Sequence, residues 1–222
     1  MNLFPTLVVD DFLDDPDYVL NLAENTEYND PGLTNYPGVA SKNKIYGLDQ
    51  ELFDTILQKI FGYYWDLNNP VKYIVDMEFL KIEPKDDGIL NKGIIHKDDD
   101  KNLCAGIIYL NKDPQKDTGT SFFKLKDSNY DDEYYNMDPY KLLHPIARYH
   151  SGQNVDGIED ICQNHYDKFE ETMRVQNQYN RLCWYSSNVW HSPTSYGNQT
   201  RYTIRWFVHM IDSKHQDYPL LR

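Results

Sequence analysis

Cysteine is scarce in this chain: Cys104, Cys162 and Cys183 are odd in number and form no C-x-x-C pair. That excludes a disulfide framework, and Cys104 and Cys183, in apolar runs, read as small buried hydrophobes in a reducing compartment. Long hydrophobic runs are also missing. No stretch of 18 or more apolar residues occurs and no charged segment leads into an apolar one at the start, so no membrane association is expected, and a soluble, cytoplasmic protein is. Basic residues are few, 22 Lys and Arg against 35 Asp and Glu for a net charge of −13, and they form no cluster. Such a surface repels a phosphate backbone, which argues against a nucleic-acid partner. Internal repeats and low-complexity tracts are absent, and 222 residues suit one domain, 1–222.

Tyrosine, with 19 copies, is plentiful. Tyr130, Tyr134, Tyr135 and Tyr140 sit in polar surroundings, where they could pave a binding surface or cover the edge of a core.

Hydrophobic spacing divides the chain. Leu7 to Phe12 reads as a strand, and Asp15-Pro16 opens a helix to about Asn25. Residues 28–44, rich in Pro and Gly, read as a loop, and apolar residues from Leu48 to Tyr64 recur at helical spacing, predicting a helix over 49–66 that backs a sheet. Strands are then expected at Val71 to Ile82, Gly93 to Lys97, Cys104 to Asn111 and Gly119 to Leu125. The acidic, Tyr-rich stretch 127–157 is expected to be irregular, a solvated loop or a substrate-facing lid. A helix is expected from Ile158 to about Val175, and strands again at Leu182 to Tyr185, Val189 to His191 and Arg201 to Met210. Within the one domain this gives an N-terminal strand and helices over 1–70, a β core over 71–126 and 181–211, and an insert over 127–180.

His96 and Asp98 are two residues apart, so on a strand they face one point while Lys97 turns away. With His191, far along the chain, they make two imidazoles and one carboxylate. Such a set caps one face of an octahedron and leaves three positions open, the pattern of non-haem Fe(II) oxygenases. A divalent metal so held keeps one positive charge, and a chelating dicarboxylate would need a second fixed cation for its far end. Arg201, about ten residues beyond His191, can supply it. Arg205 lies on the same strand face and competes for the role. Asp100 reads as part of a solvated turn, and His144, His150, His165, His209 and His215 have no ligand-like partner at i+2 or i+4 and read as ordinary histidines.

The words around these residues resemble the 2-oxoglutarate and Fe(II)-dependent oxygenase superfamily, in particular its prolyl-4-hydroxylase-like branch. They are Gly93-Ile-Ile-His96-Lys-Asp98, Gly106-Ile-Ile-Tyr109-Leu-Asn111, Thr118-Gly-Thr-Ser-Phe-Phe123, Asn180-Arg-Leu-Cys-Trp-Tyr185 and Asn188-Val-Trp-His191-Ser-Pro193 running to Arg201, in the family's order. The resemblance spans roughly Val75 to His209 and implies a mainly β fold with flanking helices, a double-stranded β-helix of jelly-roll, cupin-like form. It also implies iron held by His96, Asp98 and His191, 2-oxoglutarate as co-substrate clasped by Arg201 with Tyr109 as a second contact, and O2 as oxidant. The chain departs from the family pattern where a Gly-Gly pair reads Thr118-Gly119, and in its acidic insert. Tyr109 can equally be a core tyrosine with a satisfied hydroxyl.

The expected function is a dioxygenase that hydroxylates a protein side chain or a small molecule, releasing succinate and CO2. Asp98 speaks against halogenating relatives, which lack the carboxylate. Two other readings compete: a non-catalytic β-helix module for structure or interaction, and a cupin-like metalloenzyme that does not use 2-oxoglutarate. Turnover of 2-oxoglutarate without prime substrate separates them.

Overall fold

The computed structural model describes residues 6–32, 36–65, 68, 71–85, 88–98, 101–127 and 142–213. After β1 (Leu7–Val9), the Asp15 carboxylate accepts the Tyr18 N–H at 3.0 Å and opens α1 (Pro16–Asn25), with Pro16 where no N–H is needed. The stretch expected as a loop contains a short strand, β2 (Gly38–Ala40), and leads to a one-turn helix, α2 (Ile45–Leu48). Asp49 accepts the Leu52 N–H at 2.9 Å and starts α3 (Gln50–Gly62). Its buried stripe is Phe53, Ile56, Leu57, Ile60 and Phe61. The helix ends before residue 66 because Tyr64 and Trp65 turn inward, their rings 5.4 Å from Trp184 and 5.6 Å from Phe61.

The remaining elements are β3 (Val71–Ile82), β4 (Cys104–Tyr109), β5 (Thr120–Leu125), α4 (Leu143–His150), α5 (Ile158–Tyr166), β6 (Phe169–Val175), β7 (Leu182–Ser186), β8 (Trp190–Pro193) and β9 (Arg201–Ser213). One antiparallel sheet runs β1-β7-β4-β9-β3-β2 and the other β6-β5-β8. Alternation along the large sheet sorts two cores. Cys104, Ile108, Leu182, Trp184, Ile204, Trp206 and Val208 pack outward with the stripe of α3, while Ala105, Tyr109, Cys183 and Tyr185 point inward to Phe122 and Val175 of the small sheet. The result is mainly β with flanking helices, a double-stranded β-helix as the resemblance implied.

Three sequence expectations are corrected. The strand expected over Gly93 to Lys97 is a single bridge at His96, because the pairing slips along its length: Gly93 N–H donates to Pro193 O, His96 to His191 O, and Asp98 to Ser187 O. The helix expected to reach Val175 stops at Tyr166, and Phe169–Val175 is β6. Glu170 to Arg174 offer no apolar helical stripe, and pairing with β5 from Leu125↔Phe169 to Thr120↔Val175 satisfies their backbone. Part of the expected insert thus belongs to the barrel. In the stretch expected to be irregular, Leu143–His150 forms α4, whose Ile146 packs with Ile94, Ile158 and Cys162. Asp100 and the tyrosines at 130, 134, 135 and 140 lie outside the described residues.

Two positions in the recognised words are structural. Asn180 adopts φ 61°, and its amide accepts from Leu13 N–H at 2.7 Å and donates to Leu13 O at 3.0 Å, tying the N-terminal segment to the sheet. Gly119 lets β5 approach β6. A Cβ there would lie 1.9 Å from Val175 O and 2.7 Å from Asn177 N, backbone atoms that cannot swing aside. Gly119→Ala is therefore expected to destabilise the fold by at least the roughly 1–3 kcal/mol of ordinary overpacking. A thermal melt checks this, and an unchanged Tm would show that the two strands can part at no cost.

Candidate metal centre

The site forms where the segment before Asp98 runs beside β8. His96 N–H donates to His191 O and His191 N–H to His96 O, both at 2.9 Å. Residues that exchange both bonds stand directly opposite with side chains on one face. The two imidazoles accordingly meet with ring centroids 4.5 Å apart. Two residues on, Asp98 returns to the same face, its Oδ1 3.7 Å from Nε2 of His96 and 3.7 Å from Nε2 of His191. The three ligand atoms lie within 4.8 Å of one another, the one such group of three or more among the described residues. Lys97 turns outward, with Nζ 5.0 Å from the centre of the Trp190 ring.

Hydrogen bonds select the useful tautomer. Nδ1 of His96 is 2.8 Å from Ile94 O, and Nδ1 of His191 is 2.9 Å from Val189 O. A carbonyl only accepts, so each Nδ1 carries the hydrogen and each Nε2 offers its lone pair toward Asp98. Burial pushes His191 down to about 4 despite the Asp98 charge, which keeps it neutral. Burial alone would raise Asp98, but the two imidazoles together with the Arg205 charge outweigh it and hold the carboxyl below its usual range. Its Oδ2 is buried without a hydrogen-bond partner among the described residues. At His96 burial also acts to lower the pKa, but the Asp98 carboxylate outweighs it and raises it. Two imidazole Nε2 atoms and an ionised carboxylate with an orphaned oxygen fit a divalent iron-like cation.

A cavity of about 100 Å³ adjoins the triad. Its walls are largely apolar, including Leu80, Ile82, Ile107, Pro193 and Phe207, with Tyr36, Thr120, Tyr185, Tyr196 and Arg205 as polar interruptions. The two competing arginines are in different states. Arg201 is 3 % exposed, and its Nε and Nη1 have no hydrogen-bond partner among the described residues. It lies with Cζ 5.5 Å from the centre of the Tyr109 ring, and burial lowers its pKa. Arg205 lines the cavity but already faces a carboxylate, with Nη2 2.5 Å from Glu78 Oε1. Arg201 and Tyr109 are not wall residues. The Tyr109 hydroxyl bonds Thr120 Oγ1 at 2.7 Å, and Thr120 is a wall.

The structure thus brings His96, Asp98 and His191 together and places Arg201 with Tyr109 and Arg205 nearby. Sequence reasoning missed Tyr185, whose ring is 4.5 Å from that of His191, and Thr120, Tyr196, Tyr36 and Glu78. Tyr185 and Thr120 stood inside recognised words. Glu78 was invisible without the register that sets it opposite Arg205. Other histidines lie elsewhere: His165 Nε2 is 2.7 Å from Ile95 O, His209 Nε2 is 3.1 Å from Asp76, His144 and His150 belong to α4, and His215 is outside the described residues.

A family whose pattern matches residues 3–195 carries the description "family of unknown function (DUF6445)". The chain belongs to this family. No curated protein matches the sequence. Among solved structures, the chain is similar to a prolyl hydroxylase from Trichoplax adhaerens in complex with a hypoxia inducible factor oxygen degradation domain peptide fragment, with TM-score 0.56 and 11 % identity over 92 % of this chain and 83 % of that one. It is also similar to HygX from Streptomyces hygroscopicus with nickel and 2-oxoglutarate bound, with TM-score 0.52 and 11 % identity over 92 % of this chain and 82 % of that one. The likeness is one of fold, a double-stranded β-helix. No helix among the described residues is long and apolar enough to cross a membrane.

His96→Ala, Asp98→Ala and His191→Ala are each expected to weaken Mn(II) binding beyond the roughly 10–100-fold cost of losing a supporting hydrogen bond. Calorimetric titration of the full chain checks this. Undiminished binding in two of the three variants would sink the assignment of the triad.

Proposed function

We propose that the chain, as one catalytic domain, is an Fe(II)- and 2-oxoglutarate-dependent oxygenase that hydroxylates a C–H bond of its prime substrate with release of succinate and CO2. The observation that carries the reading is Arg201. A triad of this kind suits several divalent metals, but a fully buried guanidinium with two unpaired nitrogens and no carboxylate among the described residues is a costly state. A ligand anion on the metal side of the barrel relieves it. HygX, on the same fold, holds nickel and 2-oxoglutarate.

In this reading His96 and His191 ligate through Nε2 and Asp98 through a carboxylate oxygen. Iron with 2-oxoglutarate and O2 supplies the oxidising chemistry. The chain's own part is to bind, orient and exclude water. Arg201 matches the far carboxylate of the co-substrate, and Tyr109 holds Thr120 at the wall that the co-substrate meets. Tyr185 and Phe122, with rings 4.5 Å and 6.5 Å from His191, shield the ligand face from solvent. A cupin-like metalloenzyme without 2-oxoglutarate, or a non-catalytic module, leaves the Arg201 charge unanswered.

Arg201→Ala is expected to raise the Kd for 2-oxoglutarate by about 10–100-fold, the equivalent of roughly 1.5–3 kcal/mol for a lost charge-assisted contact, with metal affinity nearly unchanged. Titration of the Mn(II)-loaded protein and uncoupled succinate release measure it. If Arg201→Ala leaves the 2-oxoglutarate requirement intact, or if the wild-type chain forms no succinate, the oxygenase reading fails.

A further inference from the structure

The oxygenase reading leaves Arg205 without a task. Its guanidinium lies in the wall of the cavity that also touches His96, Asp98 and His191. It lies against two rings, with Cζ 4.9 Å from the centre of Tyr36 and 5.4 Å from that of Phe207. Nη2 is fixed by Glu78 at 2.5 Å and by the Tyr36 hydroxyl at 3.3 Å, whereas Nε has no acceptor among the described residues. Nor is the charge fully balanced within the cluster. Glu78 also accepts from Lys44 Nζ at 2.6 Å, so one buried carboxylate faces two cations. Asp76 lies 3.8 Å from Lys44, but it is 52 % exposed and already shared with His209, so solvent screens it.

We propose that Arg205 recognises a carboxylate on the prime substrate, and that this substrate is a small carboxylic acid hydroxylated at a carbon held beside the metal face. The proposal rests on the oxygenase reading above. Arg201 and Arg205 share a strand face four residues apart, about 13 Å along the strand. The far carboxylate of 2-oxoglutarate and the acid of the substrate therefore have separate anchors. A planar fork with a rigid backing suits a carboxylate. Small size follows from charge: a chain of net charge −13 repels an acidic polypeptide over its whole length, while a small monoacid meets mainly the local cation. The balance is R–H + 2-oxoglutarate + O2 → R–OH + succinate + CO2, one oxygen atom going to succinate and the other to the substrate carbon.

The test uses the full chain loaded with Ni(II), with and without 2-oxoglutarate. Ligand-detected NMR compares a panel of acetate, propanoate, benzoate and the free L-amino acids, each against its primary amide. At least one acid is expected to bind, its amide at least tenfold more weakly. Arg205→Met, which keeps an apolar stem against the rings, should weaken that acid at least tenfold and shift 2-oxoglutarate affinity less than twofold. Glu78→Gln, which removes the competing charge, should tighten acid binding severalfold, a gain that a merely structural arginine would not produce. If Arg205→Met does not fold, Arg205→Lys and Glu78→Gln decide the matter. The proposal is overturned if no acid binds, if amides match acids, if Arg205→Met acts on 2-oxoglutarate instead, or if acidic peptides bind better than free acids. Failure of the oxygenase reading shows separately, as absent 2-oxoglutarate binding in the wild-type chain.

Discussion

The candidate site depends on one reciprocal pair of backbone hydrogen bonds, His96 N–H to His191 O and His191 N–H to His96 O. Two segments separated by almost half the chain are pinned directly opposite each other, and strand geometry then forces both imidazoles to one side. Everything else refines that constraint. The Nδ1 hydrogen bonds to Ile94 O and Val189 O set ring rotation and tautomer, and the Asp98 N–H to Ser187 O bond brings the carboxylate round to the same face. No side-chain contact has to be strong. The ligand geometry is a consequence of register, and register is held by the apolar faces of the two sheets.

Register also separates the two arginines. Both emerge toward the barrel interior from β9, and in the sequence only their offset from His191 tells them apart. Cross-strand partners make the difference: Arg205 stands opposite Glu78, which neutralises much of its charge, while Arg201 stands opposite Ile82, which neutralises none. An aliphatic neighbour leaves a buried cation poised for a ligand, and a carboxylate neighbour leaves one restrained but partly available. The same side chain thus acquires two electrostatic characters within four residues.

The candidate triad was legible because its chemistry is local: a His-x-Asp pair and a distal His followed by Arg are words that survive without knowledge of the fold. Helix α1 was legible for the same reason, since Asp15 and Pro16 are themselves the start signal. What could not be read was non-local. Phe169 to Val175 follow a genuine helix with no break stronger than Asp167-Lys168, and only the free edge of β5 makes them a strand. The strand expected around His96 looked regular because apolar spacing does not record a slip in pairing. Tyr36 reached the cavity from a loop that no periodicity marks, and Glu78 was one more acidic residue until pairing set it beside Arg205.

The departure from the family pattern at Thr118-Gly119 follows the same logic. Of the two positions, only the second must lack a side chain, because only there does the β6 backbone close to within 1.9 Å of a Cβ. Thr118 instead uses its hydroxyl, donating to Gln115 O at 2.7 Å and accepting from Asn177 Nδ2 at 3.0 Å. Those bonds fasten the turn before β5 to the segment after β6, on the strand that carries Thr120 and, through it, Tyr109. A substitution that looks like loss of a motif is therefore a change in how the wall of the cavity is anchored, and it leaves the ligand face untouched.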